Sequence, residues 1–216
     1  MKYIVGAALL TAGFMATPLL YAAQIELVVN GEFEDPVLGG ALGFPDSPIP
    51  GWSCSSGNCE IFAQGYSGSP EYGSDGLATG QHHEVTNDGS VQYTTQDGIL
   101  IEQNGYIDFS FDTWRRDADS ISYLLEGSIS GTLVSGTHNY TSDSWEAVSF
   151  DDLYVSAGEF LTLTFSDALG ATCLSCGAHI DQVSILYTAV PEPSSLALLG
   201  LGVAGIGLAR RKKLAA

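Results

Sequence analysis

The chain has 216 residues, 25 of them acidic and 7 basic, with a formal net charge of −18. Lys2 near the start and Arg210, Arg211, Lys212 and Lys213 near the finish leave only Arg115 and Arg116 between them. A middle section this acidic repels nucleic acid and anionic lipid headgroups, so neither is expected as its partner; it favours cations or neutral ligands such as glycans.

Residues 1–23 read as a secretory signal peptide. Met1-Lys2 gives a short positive start, Tyr3 to Leu20 is almost wholly apolar, and Tyr21-Ala22-Ala23 offers small residues for cleavage. Residues 24–189 then have the length of one domain, able to bury roughly two thirds of its unfolded surface. Gln24 to Val29 alternates and ends β-branched, which predicts a strand turned by Asn30-Gly31. Pro36, Pro45, Pro48 and Pro50 punctuate a long loop before Gly51-Trp52 enters the next strand. Short strands are expected at Glu60–Ala63, Leu77–Thr79 and Ser90–Thr94.

From Tyr106 the pattern becomes regular. Ile107, Phe109 and Phe111 share one face, and Tyr106, Asp108, Ser110, Asp112 and Trp114 share the other. That period of two predicts a half-buried antiparallel strand. Further strands are expected at Ile121–Leu125, Ala147–Val155, Leu161–Phe165 and Ala178–Tyr187, and only the two termini read as helix. Eight to ten short strands separated by Gly/Pro/Asn/Asp loops predict an all-β protein, an antiparallel β-sandwich or jelly roll.

Residues 190–216 have three parts in fixed order. Pro191-Glu192-Pro193 interrupts regular structure. Ser194 to Ala209 is uncharged and predicts a single transmembrane helix of about 24 Å, extended towards the roughly 30 Å hydrocarbon core by snorkelling basic side chains. Arg210 and Arg211 then open a basic cluster that stays cytoplasmic. This order resembles the PEP-CTERM sorting signal of Gram-negative bacteria. The resemblance implies that exosortase, a membrane protease, recognises the Pro191-Glu192-Pro193 region and removes the tail. Export across the inner membrane would then be followed by transient anchoring and release to the cell surface or extracellular polysaccharide matrix.

Three further stretches carry a second resemblance: Asn30-Gly31-Glu32-Phe33-Glu34, Pro50-Gly51-Trp52 and Ile180-Asp181-Gln182-Val183-Ser184. Together they resemble the frame of galactose-binding-like β-sandwiches, a group that includes many carbohydrate-binding modules. The resemblance implies a structural Ca²⁺ shared by Glu34 and Asp181 with backbone carbonyls, in keeping with the preference of calcium for six to eight hard oxygens. Gln182 departs from the pattern, which usually has a second acid there.

The cysteines form two close pairs, Cys54/Cys59 and Cys173/Cys176, expected as two local disulfides in an oxidising compartment; a zinc site built from all four is the alternative. Tyr106, Asp108, Asp112 and Trp114 make the candidate glycan-binding face, since aromatic rings stack on sugars and carboxylates accept bonds from hydroxyls. His82 and His83 must point to opposite faces of a strand and read as surface polar residues, while His179 shares a face with Asp181. Arg115 and Arg116 read as local partners of Asp117 and Asp119. No Gly-x-Ser-x-Gly, His-Glu-x-x-His or phosphate-cradling loop is present. The expectation is therefore a non-catalytic glycan or matrix module. The alternatives are a carboxylate-dependent glycan hydrolase or lyase and a purely structural matrix protein.

Overall fold

A computed structural model describes residues 23–35, 37, 42–43, 49–55, 59–63, 80–85, 93–115, 120–167, 177–190 and 200–203, with backbone alone at 42–43, 93–97 and 167. All but Ala23 of the expected signal peptide lies outside the described residues.

The described residues form two antiparallel sheets. The strands are β1 (Ile25–Glu26), β2 (Leu42–Gly43), β3 (Trp52–Cys54), β4 (Glu60–Phe62), β5 (His82–Val85), β6 (Tyr93–Leu100), β7 (Gly105–Arg115), β8 (Ser120–Gly127), β9 (Gly131–Asn139), β10 (Glu146–Val155), β11 (Phe160–Asp167) and β12 (Ala178–Ala189). One sheet has the order β10-β7-β12-β5-β4-β2, with β1 also paired to β12; the other has the order β3-β6-β11-β8-β9. The expected all-β sandwich is the observed fold.

The alternation of β7 explains why the sheets pack. Ile107, Phe109 and Phe111 are buried and meet Leu161, Leu163 and Phe165 of β11 in one hydrophobic core. Ring centroids of Phe111 and Phe165 lie 4.9 Å apart and those of Trp52 and Phe165 lie 6.3 Å apart. Three buried aromatics in contact give offset and edge-on packing that adds to their area burial. In β12 the inward residues are Ile180, Val183 and Ile185, a spacing that strict alternation forbids. A bulge between Asp181 and Ser184 absorbs the extra residue, with Gln182 at φ 48°.

Two departures from expectation have simple causes. β1 is only two residues long, because the Glu26 carboxylate takes the place of the ladder, accepting from Val28 N at 2.9 Å and Ile185 N at 3.0 Å. β9 was not expected at all. It pairs with β8 at a sheet edge and is exposed or half-buried throughout, so it lacks the buried face that creates an alternating signal.

At one end of the sandwich, Glu159 ties two turns together. Its buried carboxylate accepts from Ser130 N (2.7 Å), Ser130 Oγ (3.1 Å) and Ser156 N (2.9 Å). Gly127 lies beneath it, where a Cβ would collide with the same carboxylate.

Candidate functional site

The three stretches singled out in the sequence converge. The Asn30 side chain closes its own turn, donating from Nδ2 to Asp35 O at 2.6 Å and accepting from Asp35 N at 3.1 Å. Gly31 then lies directly on the β12 bulge. Val183 N donates to Gly31 O at 3.0 Å, and a Cβ on Gly31 would lie 1.9 Å from Val183 O. Trp52 Nε1 donates to the carbonyls of Val29 (3.0 Å) and Asn30 (3.2 Å), and its ring packs 5.1 Å from that of the fully buried Phe33.

A cleft of about 350 Å³ opens at this junction, lined among others by Glu26, Asn30, Glu32, Glu34, Gln182 and Ser184. Glu34 Oε1 accepts from Gln81 N at 2.7 Å, and Gln81 in turn donates from Nε2 to Phe33 O at 2.8 Å. Glu26 is committed to Val28 N, Ile185 N and the Ser184 hydroxyl. Asp181 is buried next to the cleft but does not line it, and its Oδ1 accepts from Gln182 N at 2.8 Å. The first and last strands are thus neighbours, and each of the two carboxylates holds a backbone N–H.

The outward face of β7 divides into two ends. Tyr106 is 43% exposed and meets Tyr154 of β10, 49% exposed, edge-to-face at 5.6 Å. They are direct cross-strand partners. Asp108 follows on the same face and accepts from Asp152 N at 2.9 Å, while Asp112 is half-buried. At the other end Trp114 is only 9% exposed. Its Nε1 donates to Asp143 O at 3.0 Å and its ring packs against His179 (4.9 Å) and Trp145 (6.5 Å). Trp114 therefore belongs to a packed aromatic cluster, not to an open sugar platform. Arg115 beside it pairs with Asp143; Arg116, Asp117 and Asp119 lie outside the described residues.

The histidines also correct the sequence reading. His82, His83, Glu84 and His179 are all buried. His82 and His83 do point to opposite faces. His82 stacks on Phe62 (5.9 Å) and meets His179 (4.9 Å) and Trp145 (5.4 Å), while His83 faces Phe33 at 5.4 Å. Burial, with neighbouring His83 adding to it, pulls the His82 pKa down to about 3, and among the described residues neither of its ring nitrogens has a hydrogen-bond partner. Burial likewise takes His83 down to about 4 against the opposing Glu60 carbonyl, which accepts from Nδ1 at 2.9 Å. His179 shares its face with Asp181, and its Nε2 lies 3.7 Å from the carboxylate of Glu84, its partner across the strands.

Cys54 and Cys59 form a disulfide with Cα atoms 5.5 Å apart; Cys173 and Cys176 lie outside the described residues. Glu146 and Glu159 have clearly displaced proton affinities. For Glu146 and Glu159 burial pushes upwards, but hydrogen bonds outweigh it. Donors on Thr141, Ser142 and His138 take Glu146 to about 2, and those on Ser156, Ser130 and Ile129 lower Glu159. A general acid needs the opposite shift.

Beyond β12, Val190 N donates to Asn104 O at 2.9 Å, so the sandwich hands over directly to the tail. Residues 189–213 carry the PEP-CTERM protein-sorting motif. Within the PEP-CTERM segment, residues 200–203 are helical and exposed. The rest of the expected span from Ser194 to Ala209 lies outside the described residues, as do Pro191, Glu192, Pro193, Arg210 and Arg211. Among the described residues no helix is long and apolar enough to cross a membrane.

No curated protein matches the chain. Among solved structures, it is similar to the enzymatically active domain of tailspike protein 4 of bacteriophage CBA120 (15% identity, TM-score 0.48), covering 77% of this chain and 22% of that one. The chain thus spans about a fifth of that tailspike domain's length. It is also similar to TmCBM61, solved with β-1,4-galactotriose (13% identity, TM-score 0.46; 74% of this chain, 97% of that one). A third is the CBM22-2 xylan-binding domain of Paenibacillus barcinonensis Xyn10C (14% identity, TM-score 0.41; 67% and 95%).

Proposed function

We propose that this protein is an exported module that binds glycan at the cell surface or in its polysaccharide matrix without transforming it. Its PEP-CTERM tail directs it to the envelope, where an exosortase-like membrane protease removes the tail. The observation that carries the glycan reading is the exposed Tyr106–Tyr154 pair on an acidic sheet face. Two large rings held edge-to-face offer apolar surface for sugar C–H groups, and Asp108 lies two residues from Tyr106 to accept a hydroxyl. The site is smaller than the sequence suggested, because Trp114 is packed away at the far end.

The full-length protein, tested by retention on immobilised polysaccharides, is expected to lose binding about tenfold or more with Tyr106→Ala/Tyr154→Ala, equivalent to about 1.4 kcal/mol. An unchanged circular dichroism spectrum shows that the fold is retained. Equal retention of both proteins removes this face from the proposal. Release of reducing ends from the same polysaccharides replaces binding with the hydrolase reading.

The second part of the proposal is a structural Ca²⁺ held by Glu34 and Asp181. Glu34 lines the cleft with Asn30, Glu32 and Gln182, all of them hard-oxygen donors of the kind calcium takes, and Asp181 would have to reach the ion from beside it, next to Gln182. Asp181→Asn is expected to lower the melting temperature in Ca²⁺ and to leave it unchanged in chelator, because only the metal-bound state loses a ligand. Equal loss in both conditions rules out the metal role.

A further inference from the structure

The inward face of β5 brings a histidine to the disulfide. His83 Nε2 lies 3.8 Å from Cys54 Sγ, and the ligand atoms of Cys54, Cys59 and His83 all lie within 4.8 Å of one another. We propose that reduction of the Cys54–Cys59 disulfide creates a three-ligand zinc site with His83, so that disulfide and metal are alternative states of the same side chains.

Four features carry the assignment. The spacing Cys-x4-Cys falls within the range used by zinc-binding cysteine pairs. Bond lengths of about 2.3 Å to sulfur and about 2.0 Å to nitrogen place tetrahedral S and N ligands about 3.6 Å apart, close to the observed contact. The Nδ1 of His83 donates to the Glu60 carbonyl at 2.9 Å, which leaves the lone pair on Nε2, facing the sulfur. That outer hydrogen bond is what fixes a metal-binding imidazole in tautomer and orientation. Finally, the ring is immobilised beforehand, buried and packed 5.4 Å from Phe33, while Cys54 is only partly buried. Cys54 and Cys59 are joined to each other in the fold, and a histidine 29 positions from Cys54 supplies the third ligand. Two thiolates and one imidazole suit Zn²⁺, with water in the fourth position.

The chemistry balances with a phosphine as reductant. The phosphine takes oxygen from water to become its oxide, the S–S bond gains two electrons and two protons, and two thiols result. Zn²⁺ then displaces both thiol protons.

The test uses the full-length chain carrying Cys173→Ser/Cys176→Ser, so that no other thiols are present, and Co²⁺ as the spectroscopic probe. After reduction, one Co²⁺ per chain should bind, with thiolate-to-metal charge-transfer bands and the visible bands of a tetrahedral ion. The oxidised chain and the Cys54→Ser/Cys59→Ser chain should show neither. His83→Gln should weaken binding at least about tenfold. No bands in the reduced chain, or undiminished affinity in the His83 variant, overturns the proposal. X-ray absorption at the zinc edge, on the reduced chain with His83 intact, decides the histidine's part without any variant. Two sulfurs and an imidazole nitrogen uphold it; a first shell without imidazole rejects it.

Discussion

Gly31→Ala is expected to destabilise the protein by about 3 kcal/mol or more, at the upper end of what overpacking costs. The added Cβ would lie 1.9 Å from Val183 O and 2.9 Å from Val183 C. These are backbone atoms, so no rotamer change can relieve the contact. Nor can the bulge retreat, since Asp181 pairs with Asp112 and Ser184 pairs with Ser110 on either side of it. The turn itself would have to lift, breaking the Val183 N to Gly31 O bond and drawing the Val29 and Asn30 carbonyls away from Trp52 Nε1. The urea midpoint followed by tryptophan fluorescence measures this: a lower midpoint is expected, with a change in the native emission that Trp114→Phe/Trp145→Phe would assign to Trp52. A variant with the wild-type midpoint would show that the turn is free to move off β12, and the shape of the acidic cleft would lose its explanation.

The same junction shows what could be read without a structure. The alternation of β7 and the turn residues Asn30-Gly31 are local signals, and both led to the right face and the right bend. The tail is more local still: Pro191-Glu192-Pro193, the apolar stretch and the basic cluster follow one another within the residues that match the sorting motif. What could not be read is burial decided from far away. His82, His83 and Glu84 look like a polar surface strand, yet Glu84 accepts from Gly177 N, 93 positions distant, and His83 reaches Cys54, 29 positions distant. The neighbour that stacks on His82, Phe62, belongs to β4, a three-residue strand whose place in the sheet no periodicity reveals. Trp114 failed for the same reason. Period two assigned it to the outward face correctly, but the packing of Trp145 and His179 on that face decides exposure. Direction is a property of the strand; exposure is a property of its surroundings.

Glu159 is the clearest case of a residue whose role appears only in three dimensions, and Glu159→Gln is expected to cost about 3 kcal/mol at pH 7. In sequence it is an ordinary acid in a Ser-Ala-Gly-Glu turn. In the fold it is buried, with one oxygen accepting from Ser130 N and the other from Ser156 N and Ser130 Oγ. An amide keeps one acceptor but turns an NH2 group towards the second set of donors, leaving a buried N–H opposed. The carboxyl's proton affinity gives the pH dependence. Its folded pKa is lowered from 4.5, burial being outweighed by the donors, so the stability it contributes is present above the unfolded pKa and lost as pH falls through the folded value. Glutamine cannot titrate. The gap between wild-type and variant urea midpoints should therefore be widest near neutrality and close steadily below about pH 4.5. A gap that stays constant into acid would mean that the shape of the side chain, and not its charge, holds the two turns together.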